Sequence, residues 1–146
     1  MGMTTEKLET VRKVRDQVKA GHWAKGTYCE GRGSADPHWV GCLRGNIAKA
    51  YQQRGQTISE AASACHPVEL WLMRDLSADP VVVEWFASRK ATNPGLAPLY
   101  VAEFWNDSRD GASKEDVIAL LDRQEARYLE QLSGDPLPVE PEAVEA

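Results

Sequence analysis

The chain has 146 residues, of which 42% are hydrophobic and 27% charged, proportions that suit one soluble globular domain with a single core. Its net charge of −5 is uneven: Asp135, Glu140, Glu142 and Glu145 supply −4 with no Lys or Arg among them, leaving 17 basic against 18 acidic residues elsewhere. A nearly neutral body argues against nucleic acid as a partner, because sequence-independent binding needs a clustered basic face, and no apolar run is long enough to place the chain in a membrane.

In chain order, Thr4 or Thr5 caps a first helix with Leu8, Val11, Val14 and Val18 at three- and four-residue steps, ended by Gly21. A glycine-dense stretch follows, with Gly26, Gly31 and Gly33 interleaved with His22, Trp23, Tyr28 and Cys29. The β character of Thr27-Tyr28-Cys29 predicts an ordered loop or short hairpin. Asp36-Pro37 reads as a cap and first-turn proline opening a second helix, whose stripe is Trp39, Leu43, Ile47, Ala50 and Tyr51 and which Arg54-Gly55 ends.

Thr57-Ile58-Ser59-Glu60 is a capping box for a small-residue helix over Ala61–Ala64. Proline disfavours helical backbone in the residue before it, so His66-Pro67 is predicted to interrupt that helix, and a fourth carries Val68, Trp71, Leu72 and Leu76. Asp79-Pro80 repeats the cap-plus-proline device for a fifth helix with Val82, Trp85 and Phe86. Asn93-Pro94-Gly95 is a break, and Pro98 starts a short apolar segment from Leu99 to Trp105. Ser113 caps a last helix from Lys114 to about Leu132, with Val117, Leu120, Leu121, Gln124, Tyr128 and Leu132 on one side.

No segment alternates with period two and no repeat occurs. The expected fold is therefore mainly α, a single irregular orthogonal bundle of five to seven helices over residues 1–132. Residues 133–146 form an acidic Pro/Glu tail, with too little apolar surface to offset the entropy of ordering.

The residues able to carry chemistry cluster at element ends. His22, Cys29, His38 and Cys42 are four soft ligands, and His38 and Cys42 stand four apart on one face of the predicted second helix. The first pair matches no structural zinc spacing, so no metal is expected, and no cofactor either, since the Gly26–Gly33 stretch fits neither phosphate-binding glycine fingerprint. Three cysteines without paired spacing, and an N-terminus without an apolar core, suit the cytoplasm.

A Cys/His nucleophile would draw on His22, His38 or His66, with Cys42 or Cys65 and with Asn106 or Asp107 as orienter; adjacent Cys65-His66 point apart on a helix and make no dyad alone. Of five tryptophans, Trp39, Trp71 and Trp85 lie on apolar stripes and read as core, whereas Trp23 and Trp105 sit beside polar residues. Trp23, Trp105, Asn106 and Asp107 are therefore the candidate binding residues. Asn106-Asp107 also suffices as a tight turn. Trp105 itself is expected to be buried against Val117 or Leu121, with Asn106 or Asp107 bonding the amides of the turn that follows.

Trp23…Gly26, then Trp39-Val40-Gly41-Cys42-Leu43-Arg44-Gly45, then Trp105-Asn106-Asp107 ahead of Glu115-Asp116-Val117-Ile118-Ala119-Leu120-Leu121 carry a family resemblance. The pattern resembles a family of small uncharacterised proteins of actinobacteria and their phages, over roughly residues 8–127. The chain departs from it at Asn46, where the pattern has Ala, and the acidic tail lies outside it. The resemblance implies one compact helical domain of bacterial or phage origin and carries no activity. Two functions follow. The first is a non-enzymatic accessory factor that binds a protein partner. The second is a small hydrolase or transferase with a pocket between His22–Gly33 and Trp105–Asp107.

Overall fold

Burial of the predicted stripes organises the chain. The computed structural model describes residues 2–29, 37–89 and 98–133. In α1 (Gly2–Lys19), Leu8, Val11, Val14 and Val18 are all at most 5% exposed and face α6 (Lys114–Ser133), whose Val117, Leu120, Leu121 and Tyr128 are fully buried. Arg12 pairs with Glu125, and Arg15 with Asp122 and Glu125, so the two helices run antiparallel. Exposed pairs such as Arg12–Glu125 and Arg15–Asp122 contribute little, and the buried stripes hold the helices together. Ser113 Oγ accepts from the Asp116 amide at 3.1 Å while Asp116 returns the bond to the Ser113 amide, which fixes the start of α6.

The helix α3 (Ile58–Ser77) starts at the expected capping box of Thr57 and Glu60. It then runs unbroken through Pro67, so the predicted interruption at His66-Pro67 does not occur and one helix stands where two were expected. Ala61, Cys65, Val68, Leu72, Met73 and Leu76 stay in helical register across the proline. Burying that continuous face outweighs the lost backbone bond, which costs about 3 kcal/mol.

Asp79 caps α4 (Pro80–Ala87), accepting from the Val81 amide at 3.1 Å. Its buried carboxylate also receives Arg123 and Arg127 from α6. Burial alone would raise its pKa, but the two guanidiniums outweigh that and hold it below the usual range. Val82 enters the core, while Trp85 and Phe86 are half-buried against Phe104, with ring centroids 5.5 and 6.1 Å apart.

The second helix begins later than expected. α2 spans Leu43–Tyr51 with Cys42 at its N-cap, not Asp36-Pro37. The reason is pairing: the Gly41 amide bonds the His22 carbonyl and the Ala24 amide bonds the Gly41 carbonyl, both at 3.0 Å, so Trp23 and Gly41 make a short parallel bridge. Backbone held this way cannot also be helical. His38 therefore lies in a turn before the helix, not on one helical face with Cys42.

A single 3-10 turn (Pro98–Tyr100) leads into α5 (Val101–Asp107). Asn106-Asp107 is accordingly the last turn of a helix, not a tight turn. Six α-helices and no strand are present among the described residues, as a mainly α bundle requires. None of those helices is long and apolar enough to cross a membrane. Gly31, Gly33, Asp36, the Asn93-Pro94-Gly95 break and the tail from Gly134 on lie outside the described residues.

Candidate functional site

Two regions compete for the part of functional site. The first is a latch in which residues 22–29 are fastened to α2 and to the end of α5. The Trp23 indole donates to Asn106 Oδ1 at 2.6 Å. Asn106 donates onward to Asp107 Oδ1 at 2.8 Å, and that same oxygen accepts the Gly26 amide at 2.7 Å. The Lys25 ammonium reaches the Asn106 and Ser108 carbonyls at 3.1 and 2.7 Å, a cation placed on the negative end of α5. From below, Asn46 Nδ2 donates to the carbonyls of His22, Gly41 and Cys42, and Gln17 bonds Asn46 in turn.

Glycine makes this approach geometrically feasible. A Cβ on Gly45 would stand 1.4 Å from the Tyr28 carbonyl oxygen, and one on Gly41 would stand 2.6 Å from the same atom. The backbone of residue 28 thus lies directly on the first turn of α2, and no side chain fits between them. The spacing Trp39-x-x-Cys42-x-x-Gly45 acquires a physical meaning here. Trp39 stacks on His22 at 4.2 Å and 4°, Cys42 holds the N-cap position of α2 without a side-chain cap bond, and Gly45 leaves room for the Tyr28 carbonyl.

The structure therefore brings His22, Trp23, Cys42, Asn106 and Asp107 into one neighbourhood. Trp105 is buried in the same core cluster as Val117 and Leu121. Asn106 and Asp107 bond the 22–29 segment, however, and not the turn after α5. His22 Nδ1 is 2.7 Å from the Trp39 carbonyl. His38 is exposed, in the turn that precedes the bridge. The Cys42 and Cys65 thiols donate to backbone carbonyls and not to a histidine. Among the described residues no three His, Cys, Asp or Glu side chains are grouped so as to hold a metal ion. Burial pushes the thiols of Cys29, Cys42 and Cys65 above their usual range, that of Cys65 to about 11.

Glu103 is the residue of this region that sequence reasoning missed. It sits in α5 with its carboxyl against Cys42, and its Oε1 is buried without a hydrogen-bond partner. Cys42 Sγ donates to the Tyr28 carbonyl at 3.9 Å. Desolvation, reinforced by Asp107 one turn on, pushes the Glu103 carboxyl up to about 7, with Cys42 and Arg44 acting against the rise. A charged residue between Ala102 and Phe104, inside an apolar run, was the available signal.

The second region is the outer face of α3. Leu70, Trp71, Arg74, Ser77 and Ala78 line a groove of about 580 Å³ with Pro98 and Leu99 opposite. Trp71 was expected in the core but is 46% exposed, with the Arg74 guanidinium 5.0 Å from its ring centre. The step from Trp71 to Leu72 explains the error: Leu72 faces inward, and its neighbour is turned about 100° away. Trp85, also expected in the core, is only half-buried.

Further along the same face a smaller cavity of about 330 Å³ is lined by Tyr28, Arg44, Ala62, Ser63, His66 and Glu69. There Arg44 bonds the buried Glu69 and lies 5.6 and 5.7 Å from the Tyr28 and Tyr100 ring centres, and both rings are exposed. Desolvation pushes the Tyr28 hydroxyl up to about 12, so it is a neutral donor at any physiological pH.

The chain belongs to a family of unknown function, DUF6197, which it matches over residues 3–127. No curated protein and no solved structure matches it. The match spans the latch and the α3 face alike.

Proposed function

We propose that this chain is a non-enzymatic accessory factor of bacterial or phage origin that binds a partner protein on the outer face of α3. One observation carries the reading. A groove of about 580 Å³, floored by a half-exposed tryptophan and rimmed by Arg74, lies open on the surface. Its volume falls in the range of ordinary binding clefts, and Trp and Arg are the residues that most often dominate interface energies. Arg74 has no carboxylate partner among the described residues, so the complementary segment is one that places a carboxylate beside apolar side chains.

The latch supports the frame and not a ligand. Trp23, Asn106 and Asp107 have their polar atoms committed to one another and to backbone, and Trp105 is 3% exposed. The hydrolase or transferase reading is disfavoured by the same geometry. A thiol held above its usual pKa is protonated at neutral pH and is a poor nucleophile.

The test is photo-crosslinking from a benzoylphenylalanine at position 78, an exposed position that lines the groove, in the host cell, repeated with Trp71→Ala. A protein should be captured in the first case and lost in the second, with the crosslink mapping to an acidic, apolar segment. Capture unchanged by Trp71→Ala would remove the groove as the binding surface.

A further inference from the structure

We propose that the cavity of about 330 Å³ where Tyr28 meets α2 and α3 is a binding site for a small organic carboxylate, taken up by the guanidinium of Arg44. This goes beyond the partner-binding groove at Trp71, and each reading stands or falls without the other.

The case begins with an unused edge. A guanidinium carries five N–H donors, and its two terminal nitrogens form a planar fork that fits both oxygens of a carboxylate. Arg44 engages through Nε alone, which donates to Glu69 Oε2. No other acceptor among the described residues takes a bond from Arg44, so both terminal nitrogens are left for a ligand.

The head group is nonetheless held in place. The Tyr28 and Tyr100 ring centres lie 5.6 and 5.7 Å from the guanidinium carbon. Glu69, whose side chain is only 4% exposed, fixes the Nε edge. A fork positioned in this way loses little freedom when it binds. The Arg44 side chain is still 33% exposed, so a ligand can reach it.

The surroundings decide the chemistry of that ligand. The hydroxyls of Tyr28 and Ser63 line the same cavity and have no partner among the described residues. Desolvation pushes the Tyr28 hydroxyl up to about 12, so it donates and does not ionise against an anion. The one carboxylate in the wall, Glu69, is already taken by Arg44, and it also faces His66 Nδ1 at 3.7 Å. Unused donors therefore dominate, which selects an anion. Because Glu69 offsets the charge of Arg44, a planar monoanion suits the site better than a dianion such as phosphate. The volume lies at the small end of the range for ligand pockets, about 300–1,000 Å³, and Ala62 with the Tyr28 ring offers an apolar wall for the ligand's body.

The experiment titrates the full chain with benzoate and, separately, with inorganic phosphate at neutral pH, following the Arg44 Nε–H resonance. Benzoate should give a saturable shift and bind more tightly than phosphate. Arg44→Lys keeps a cation for Glu69 but loses the fork, and should weaken benzoate about tenfold. Tyr28→Phe keeps the ring beside Arg44 and removes only the hydroxyl, and should weaken it about fivefold. If Arg44→Lys fails to fold, Tyr28→Phe carries the test. Trp71→Ala should leave benzoate affinity unchanged. No saturable shift at Arg44, or equal affinity in wild type, Arg44→Lys and Tyr28→Phe, overturns the proposal. Phosphate binding as tightly as benzoate makes the site a general anion site and overturns the carboxylate assignment. Benzoate lost in Trp71→Ala but kept in Arg44→Lys places the ligand beside Arg74 and overturns the proposal as well.

Discussion

The latch and the α3 face both concentrate tryptophan and charge, yet the structure uses them in opposite ways. In the latch, the Trp23 indole, the Asn106 amide, the Asp107 carboxylate and the Lys25 ammonium all have named partners within 3.1 Å, and every one of those partners belongs to the fold. On α3, the Trp71 ring is 46% exposed and its cation neighbour has no carboxylate beside it among the described residues. Aromatic and polar residues turned inward on each other define an architecture, whereas the same residue types left facing solvent define a surface with capacity to bind. Residue type alone does not separate the two cases. Partner satisfaction does.

The contrast breaks most visibly at Trp105. Its ring is 3% exposed within the central cluster, so Trp105→Ala should leave a cavity and lower stability by about 3–5 kcal/mol in chemical denaturation. That is a large share of the stability of a domain this size. A loss under about 1 kcal/mol would place Trp105 with Trp71 instead of with the core.

That burial was legible in the sequence, because Phe104-Trp105 closes an apolar run directly before a polar turn and a capped helix. The caps at Thr57, Asp79 and Ser113 were legible for the same local reason: each is a side chain bonding backbone two or three residues away. What stayed hidden was non-local. Asn106 bonds Trp23 across 83 positions, and Gly45 receives a carbonyl from residue 28. No periodicity reports such pairs. The α2 start was misplaced because Asp36-Pro37 is a good local cap signal, overridden by the pairing of Gly41 with residues 22–24. Pro67 was read as a breaker by a rule about backbone, and the buried stripe on either side of it outweighed that rule.

Gly45 tests the latch by a different route. An added methyl group would meet the Tyr28 carbonyl at 1.4 Å, a distance no relaxation of one side chain can relieve, because the obstacle is backbone. Gly45→Ala should therefore lift residues 26–29 off α2, at a cost of about 3 kcal/mol, in the range of overpacked sites. Hydrogen exchange locates the effect: the Cys42 amide, which bonds the Thr27 carbonyl at 2.7 Å, should lose protection while α6 amides keep theirs. Uniform loss along the chain would mean that the latch is inseparable from the bundle.

Glu103 sharpens the contrast through pH. Its folded pKa, about 7, stands above the unfolded value of 4.5, so the neutral acid is the form the fold favours. The associated stability is fully present below about pH 4.5 and is lost as pH rises through 7. Burial is the main cause of the rise, with Cys42 and Arg44 opposing it and Asp107 adding to it. Glu103→Gln keeps the shape and removes the titration. It should match wild type near pH 4.5 and exceed it near pH 8 by on the order of 2 kcal/mol. Parallel stability curves for the two proteins across that interval would show that Glu103 ionises as freely as a surface residue.

The smallest expected change is at Trp71, and its smallness is informative. A tryptophan in the core costs several kcal/mol to remove, so a structural Trp71 would behave like Trp105. A half-exposed ring on the outer face of α3 leaves little cavity behind. Arg74, which stacks on it, can return to solvent at little cost, since an exposed cation–π contact is worth about 0.5–1 kcal/mol. Trp71→Ala should accordingly shift unfolding by less than about 1 kcal/mol, with the α3 amides as protected as in wild type. The same substitution is the one that should abolish partner capture at position 78. Loss of binding with stability intact identifies a surface residue held for recognition. Loss of both would return Trp71 to the scaffold, and the distinction drawn between the latch and the α3 face would collapse.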